Sequence, residues 1–135
     1  MNQIDLKGRT AVVTGAAQGI GAAIVKRLVA SGAKVSIWDR DEKLLARAVA
    51  AQKGKAIGQA VDVSDWDSVQ AATAATLKAL KRIDILVNNA GISGKNAPTI
   101  DYPVDEWQRV LAVNLHGPFH CAKAIAPHMV ARKYG

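Results

Sequence analysis

The fold is decided by the stretch Thr14-Gly15-Ala16-Ala17-Gln18-Gly19-Ile20-Gly21. The apolar run Ala11-Val12-Val13 precedes it, and an apolar-periodic run from Ala22 to Val29 follows it. A short apolar run predicts a buried strand and the periodic run predicts a helix, so the glycines lie on a strand-to-helix turn. A glycine-rich turn in this context is typical of a loop that binds the pyrophosphate of a dinucleotide.

The three glycines of this loop have separate physical roles. Gly15 can adopt backbone angles that are barred to other residues, so the chain can turn tightly at the end of the strand. Gly19 leaves no side chain where a pyrophosphate must approach the backbone, and Gly21 lets the helix lie close against the strand. The free N–H groups and positive dipole end of the helix then face the phosphates. The alternative is a strand–helix turn that binds nothing.

Length and composition are those of a single globular domain. The chain has 135 residues, of which 50% are apolar. No run of about 18 apolar residues occurs, so no membrane-spanning helix is predicted. The N-terminal residues lack the apolar segment of a secretory signal, so we expect a cytoplasmic protein. The single cysteine, Cys121, rules out an internal disulfide.

Nucleic-acid and metal binding are both disfavoured by the sequence. The net charge is +7, but the charges are scattered and form no block of about five like charges, so solvated helix faces are expected and no nucleic-acid partner. His116, His120 and Cys121 share one stretch with a spacing that suggests zinc. A third or fourth ligand at a sensible spacing is missing, so we expect no metal site and assign these residues to helix packing.

Predicted strands and helices alternate along the chain, which indicates an α/β fold with a parallel sheet. Strands are predicted at 9–14, 34–38, 56–61 and 83–87, and helices at 19–31, 41–52, 65–80, 105–115 and 118–133. Asp41 is expected to cap the second helix, and Ser64 or Asp65 the third. A loop is predicted at 92–104. We expect a doubly wound, three-layer Rossmann sheet with the strand order 3-2-1-4.

The notable polar residues follow the predicted strands, at the edge where open parallel sheets bind ligands. The glycine loop follows the first strand, Asp39 the second, Asp62 the third and Asn88-Asn89-Ala90-Gly91 the fourth. Asp39 lies about 20 residues after the glycines, where an acidic residue accepts hydrogen bonds from the ribose of NAD. Arg40 is the competing signal, since an arginine here can contact the 2′-phosphate of NADP.

The motifs that follow the four predicted strands resemble those of the short-chain dehydrogenase/reductase family. The resemblance extends over the chain from Lys7 onward. The spacing Gly-x-x-x-Gly-x-Gly, with Thr14 in front and Ile20 between the last two glycines, is that of the family's cofactor loop. Asp62-Val63 resembles the family's acidic–apolar pair, whose aspartate binds the adenine amino group. A helix cap is an equally good reading of Asp62 alone. Asn88-Asn89-Ala90-Gly91 matches the motif that steadies the central sheet and lines the cofactor.

The resemblance implies a set of site residues. The implied cofactor contacts are Gly15, Gln18, Gly19, Ile20, Gly21, Asp39, Arg40, Asp62, Val63, Asn89, Ala90 and Gly91. Gln18 favours NAD over NADP, because NADP-using relatives often carry a basic residue at that position. Asn114 matches the asparagine of the catalytic tetrad, whose backbone carbonyl holds a water beside the catalytic lysine. The alternative reading is that Asn114 marks a junction between two helices.

The resemblance also implies an activity. It is that of an NAD(H)-dependent oxidoreductase which transfers hydride between the nicotinamide and a secondary alcohol or carbonyl, for example of a polyol or sugar acid. A 3-oxoacyl-thioester (acyl-carrier-protein) reductase is one alternative, and a non-catalytic dinucleotide-binding module is another. The family's serine and Tyr-x-x-x-Lys pair would follow Gly135. We therefore expect residues 1–135 to be one NAD(P)-binding domain that lacks its C-terminal catalytic part and is inactive alone.

The last predicted helix suggests self-association. It carries Phe119, Ala122, Ile125, Ala126 and Met129 in helical register, with small residues over much of its surface. In the family this helix helps to form a four-helix interface between subunits. The resemblance thus implies a homo-oligomer, and we expect a tetramer that acts on a small-molecule substrate.

Overall fold

A computed structural model describes residues 3–135, so the first two residues of the predicted domain lie outside the described part. The strands are β1 (Thr10–Thr14), β2 (Lys34–Asp39), β3 (Ala56–Ala60) and β4 (Ile85–Val87). The helices are α1 (Gly19–Ala30), α2 (Glu42–Ala50), α3 (Trp66–Leu80), α4 (Val104–Leu111) and α5 (Gly117–Arg132). Within this range, no helix combines the length and apolar character needed to span a membrane.

The four strands form one parallel sheet in the order β3-β2-β1-β4. Val12 of β1 lies opposite Ser36 of β2 on one side and Leu86 of β4 on the other. The predicted α/β class and strand order are confirmed. Consecutive strands run parallel, so each is joined to the next by a crossover that returns the chain to the same end of the sheet. All four carboxyl ends therefore meet at one edge.

Side chains alternate along the strands and supply two separate cores. Val13 and Ile37 face one side of the sheet and pack with Val25 of α1 and Leu45 of α2. Their neighbours Val12 and Trp38 face the other side, in a cluster with Val69 of α3 and with Cys121 and Ile125 of α5. Helices thus cover both faces of the sheet, which is the predicted three-layer arrangement.

Two predicted helix caps are present. The Asp41 carboxylate accepts hydrogen bonds from two backbone N–H groups in the first turn of α2. Of the two candidates for α3, Asp65 is the cap, since its carboxylate accepts a hydrogen bond from the N–H of Asp67. Asp41 and Asp65 lie shortly after β2 and β3, so these caps fix where the chain enters the helix that follows each strand.

The chain from α4 to α5 differs from the prediction. Two separate helices were expected, but the segment Ala112–His116 continues the helical path as a π-helical turn. The N–H of Gly117 bonds to the carbonyl of Ala112, five residues back. Pro118 has no N–H and cannot make the α-helical hydrogen bond to the residue four back, so the chain forms a wider π-helical turn before α5. The predicted loop at 92–104 also contains a short 3₁₀ turn, Thr99–Asp101.

A buried carboxylate lies at the opposite, amino edge of the sheet. Asp84 precedes β4 and has a fully buried side chain. It accepts hydrogen bonds from the N–H of Thr10 at 2.9 Å and from the guanidinium groups of Arg82 and Arg132. Burial raises the pKa of Asp84, but the bonds from Arg82, Arg132 and Thr10 outweigh it and lower the pKa to about 2. This cluster joins β1, β4 and α5.

Candidate functional site

A cavity of about 400 Å³ lies at the carboxyl edge of the sheet. Its lining comes from the ends of all four strands and from the π-helical turn. The residues are Gly15, Gln18, Ile20, Gly21, Asp39, Arg40, Val61, Asp62, Val63, Asn89, Ala90, Gly91, Ile92 and Val113. Every predicted cofactor contact except Gly19 belongs to this set. The cavity thus joins four motifs that lie far apart in the sequence.

Three lining residues were missed by the sequence reasoning: Val61, Ile92 and Val113. Each is directly next to a residue that was predicted. Apolar residues are expected in the core, so their side chains did not indicate a place at the cavity. The one signal in the sequence was that each lies next to a predicted site residue. They add an apolar component to a cavity whose predicted residues are mostly glycine or polar.

The glycine loop is shaped by close approaches that a side chain would block. Gly15 has a φ of +59°, and a Cβ atom there would lie 2.8 Å from the Cα of Ala90. A Cβ on Gly21 would lie 2.5 Å from the carbonyl oxygen of Gly15. Gly19 also has a positive φ, of +58°, but a Cβ there would meet no atom within 4 Å. The loop is therefore closely packed at Gly15 and Gly21 and open at Gly19.

The amino end of α1 carries no acidic residue and no side-chain cap of its own. Gln18 occupies the N-cap position without a side-chain cap bond, and the first turn contains no acidic residue. N–H groups at a helix start usually find a side-chain oxygen, and the positive dipole end attracts negative charge. This end of α1 adjoins the cavity, so it is suited to an anionic group such as a phosphate.

The Asp39 carboxylate ties the glycine loop to the end of β2. One oxygen accepts a hydrogen bond from the N–H of Ala17 and the other from the N–H of Asp41, both at 3.0 Å. The side chain is half-buried and lines the cavity next to the exposed Arg40. These two bonds fix the orientation of the carboxylate before any ligand arrives.

Thr14 and Asn89 join the carboxyl ends of β1 and β4. The Thr14 hydroxyl oxygen accepts hydrogen bonds from the N–H groups of Asn89 and Ala90, at 3.1 and 3.0 Å. The Asn89 side-chain amide donates to the carbonyls of Thr14 and Gly15, both at 3.0 Å. Asn89 therefore holds the glycine loop in place, and Thr14 has an anchoring role that its sequence position did not reveal.

Asn114 lies in the π-helical turn and uses its side chain to hold the loop after β4. Its amide group donates to the carbonyl of Ile92 and accepts from the N–H of Ile92, both at 2.8 Å. Both polar atoms of the side chain are thus bonded to one backbone residue. The carbonyl of Asn114 would bond to the N–H four residues on in an α-helix, but that residue is Pro118, which has none. Asn114 itself does not line the cavity, whereas its neighbour Val113 does.

Asp62 and Val63 form the wall beyond β3. The exposed Asp62 carboxylate accepts bonds from the N–H and the hydroxyl of Ser64, at 2.9 and 2.6 Å. Val63 is buried, with 7% of its surface exposed. The alternative role of Asp62 as the cap of α3 is wrong, because Asp65 fills that position. Asp62 is thus an exposed acidic group at the cavity with one oxygen held by Ser64.

The histidine and cysteine stretch has other structural roles. Within residues 3–135, no group of three or more His, Cys, Asp or Glu side chains is placed to hold a metal ion. His120 faces the carbonyl of Val63, and Cys121 is fully buried in the core. Burial raises the pKa of the Cys121 thiol to about 11, which keeps it protonated and unreactive at neutral pH.

Comparison with known proteins identifies the family. A family model described as short chain dehydrogenase matches residues 9–135. A Sphingomonas sp. (strain SKA58) protein named 2-dehydro-3-deoxy-L-rhamnonate dehydrogenase (NAD(+)) is 41% identical over 128 residues, which cover 95% of this chain and 51% of that protein. A 3-oxoacyl-[acyl-carrier-protein] reductase of Synechocystis sp. (strain ATCC 27184 / PCC 6803 / Kazusa) is 37% identical over 134 residues, which cover 96% of this chain and 54% of that protein. The chain therefore spans about half the length of these curated relatives.

Solved structures share the fold closely. An NAD+-bound xylitol dehydrogenase matches with a TM-score of 0.93 at 34% identity, over 96% of this chain and 51% of that one. A metagenomic short-chain oxidoreductase in complex with NADP matches with a TM-score of 0.91 at 40% identity, over 96% of this chain and 60% of that one. The sheet order, the glycine loop and the family match agree, and this chain belongs to the short-chain dehydrogenase family.

Proposed function

We propose that the protein containing this chain is an NAD(H)-dependent oxidoreductase that transfers hydride between the nicotinamide and a secondary alcohol or carbonyl carbon. The observation that carries the proposal is the single cavity that joins the glycine loop, Asp39 and Asp62. A dinucleotide needs an anion site, a ribose site and a base site in one continuous cleft, and these three features would supply them. Family membership supports the same reaction class.

The residues of the cavity fit a nicotinamide dinucleotide. The uncapped amino end of α1 would hold the pyrophosphate, with Gly19 open for its approach. Asp39 would accept hydrogen bonds from the adenosine ribose, and Asp62 and Val63 would contact the adenine. Asn89, Ala90 and Gly91 would line the remaining length. When bound, the dinucleotide supplies the hydride acceptor or donor.

Asn114 would act through its backbone. Its side chain is engaged by Ile92, so the carbonyl is the group available to hold a water molecule for proton transfer. Pro118 supports this role because it cannot donate a hydrogen bond to that carbonyl. The side-chain bond to Ile92 would fix the direction in which the carbonyl points.

The first prediction concerns cofactor preference. We expect NADH to bind more tightly than NADPH, by about 1–3 kcal/mol, because the fixed Asp39 carboxylate would oppose a 2′-phosphate. Both Asp39 oxygens are already bonded to backbone N–H groups, so the carboxylate cannot easily turn away. Titration of cofactor fluorescence in the protein that contains this chain measures both affinities, and Asp39→Ala should narrow the difference.

Two further variants sharpen this test. Glu42→Gln removes a nearby negative charge that does not line the cavity, so it should leave the NADH-to-NADPH ratio unchanged. Arg40→Gln should weaken NADPH binding and leave NADH binding nearly unchanged. Equal or tighter binding of NADPH by the unaltered protein would refute the role of Asp39 in cofactor preference. It would indicate instead that Arg40 determines the preference by contacting the 2′-phosphate.

The substrate class is proposed as polyols or sugar acids. The named activity of the Sphingomonas relative and of the xylitol dehydrogenase supports this choice. A 3-oxoacyl-thioester reductase is the second candidate, supported by the Synechocystis relative. Initial rates with a panel of polyols, sugar acids and acyl thioesters would separate the two.

A non-catalytic dinucleotide-binding module is the alternative from another class of function, and no observation favours it. Absence of turnover with every substrate of the panel would be the result that supports it. A cytoplasmic location stays a prediction.

The second prediction concerns association. The side chains of Trp107, Leu115 and Phe119 are 58%, 61% and 60% exposed, although they are large and apolar. We propose that this surface of α4 and α5 forms the contact in a homotetramer. Ile125, by contrast, packs on the sheet and is unavailable for such a contact. Light scattering of the protein that contains this chain should give a tetramer, and Phe119→Glu should dissociate it. A monomer at all concentrations would contradict the proposal.

A further inference from the structure

His120 bonds to the loop that follows β3, although it lies on α5. Its ring nitrogen Nδ1 is 2.9 Å from the carbonyl oxygen of Val63. A carbonyl can only accept, so Nδ1 carries the proton and donates it to this bond.

The bonded carbonyl belongs to a peptide group that is held at both ends. The peptide between Val63 and Ser64 presents its oxygen to His120 and its N–H to the Asp62 carboxylate, at 2.9 Å. Fixing the oxygen fixes the plane of the peptide and therefore the direction of its N–H. A hydrogen bond to the carbonyl also polarises the N–H toward stronger donation. His120 thus acts on Asp62 through a single peptide group.

The surrounding contacts keep His120 in this position. Its ring has three ring neighbours, Trp66 at 5.8 Å, Phe119 at 6.0 Å and His116 at 6.5 Å, measured between ring centroids. One turn earlier on α5, a Cβ atom on Gly117 would lie 2.8 Å from a methyl group of Val63. The close approach of α5 at Gly117 brings the helix within reach, and His120 makes the directional bond.

We propose that His120 is a positioning residue for the adenine half of the dinucleotide, because it fixes the Val63–Ser64 peptide that in turn orients the Asp62 carboxylate. This inference rests on the proposed function, since Asp62 is the expected adenine partner. Asp62 itself is exposed, and two bonds hold one oxygen of its carboxylate, from the Ser64 hydroxyl at 2.6 Å and from the fixed peptide N–H at 2.9 Å. Loss of the second bond would widen the range of rotamers open to the carboxylate before the base arrives.

The test uses three replacements of His120 in the protein that contains this chain. His120→Phe keeps a ring and removes the donor. His120→Asn places an amide nitrogen where Nδ1 lies, and His120→Gln extends its amide toward the Nε2 position. The probes are NADH and reduced nicotinamide mononucleotide, which lacks the adenosine half, with affinities read from cofactor fluorescence.

We expect His120→Phe to raise the Kd for NADH about three- to tenfold, the range of one lost hydrogen bond, and to change the Kd for the mononucleotide less than about twofold. His120→Asn should restore NADH binding, and His120→Gln should not. In an Asp62→Ala background, His120→Phe should have no further effect on NADH.

Several results would overturn the proposal. Unchanged NADH affinity in His120→Phe would do so, as would equal losses for both probes in every variant, which would indicate a general packing role. If His120→Phe fails to fold, the comparison of His120→Asn with His120→Gln still decides, and equal NADH affinities would reject the role. Failure of the unaltered protein to bind NADH would instead reject the proposed function.

Discussion

Gly21→Ala is expected to destabilise the chain by about 3 kcal/mol and to abolish dinucleotide binding, at the upper end of the cost of overpacking. The added Cβ would lie 2.5 Å from the carbonyl oxygen of Gly15 and 2.7 Å from the Cα of Ala16. Both are backbone atoms of the glycine loop and cannot rotate away. The first turn of α1 would have to move off β1 and take the loop with it.

Gly19→Ala is the matched control for this prediction. A Cβ at that position meets no atom within 4 Å, so the folded chain bears only the strain of a positive φ, about 1–2 kcal/mol. Its effect on NADH affinity should nevertheless be large, because the methyl group would occupy the approach of the pyrophosphate. Urea unfolding and NADH titration of both variants separate stability from binding. Equal losses of stability at the two positions would contradict the packing argument.

Asp84→Ala is expected to lower the free energy of unfolding by about 3 kcal/mol, the lower end of the cost of breaking a buried ion pair. We expect the lower end of this energy range because the side chains of Arg82 and Arg132 are 37% and 25% exposed. Their guanidinium groups can therefore bond to water once the carboxylate is removed. The ion pair of Arg109 and Glu106, whose side chains are 49% and 13% exposed, provides the comparison, and Glu106→Ala should cost about 1 kcal/mol or less. Urea unfolding at neutral pH measures both.

The same carboxylate gives a pH signature. The folded pKa of Asp84 is about 2, below the value of about 3.9 for an unfolded aspartate. Its contribution is therefore fully present above about pH 4 and is lost as the pH falls toward 2, by about 2–3 kcal/mol in total. Unfolding curves between pH 2 and 5 should show this loss in the unaltered protein and a smaller loss in Asp84→Ala. Identical pH dependence in both would contradict the assignment.

Much of this molecule could be predicted because its signals are local in sequence. Short apolar runs predicted the strands, and their alternation with helices predicted the parallel sheet and its strand order. Gly15 directly follows β1, Asp39 is the last residue of β2 and Asp62 lies just beyond β3. Neighbouring parallel strands therefore bring these cavity residues to one edge.

The unpredicted features depend on contacts between distant parts of the chain. The bond between Asn114 and Ile92 joins residues 22 apart in sequence, and no pattern in either segment announces it. The anchoring role of Thr14 needs β4 to lie beside β1. The π-helical turn arises because Pro118 has no N–H to donate to the carbonyl four residues back. The sequence indicated a bend in the helix there but not that it would be a π-helical turn.

Asp84 and Asn89 lie at opposite ends of β4, which makes the strand a spacer between two charged regions. The extended part, from Asp84 to Val87, spans about 10 Å, and the chain turns before Asn89. The buried Asp84 carboxylate is paired with Arg82 and Arg132, whose side chains reach solvent, where salt screens charges beyond about 8 Å. Much of the field of this cluster is therefore attenuated before it reaches the other end. Substitutions around Asp84 should thus alter the acid stability of the protein with little electrostatic effect on dinucleotide affinity. Acid stability and dinucleotide affinity can therefore be changed separately, by evolution or by an engineer, through substitutions at the two ends of β4.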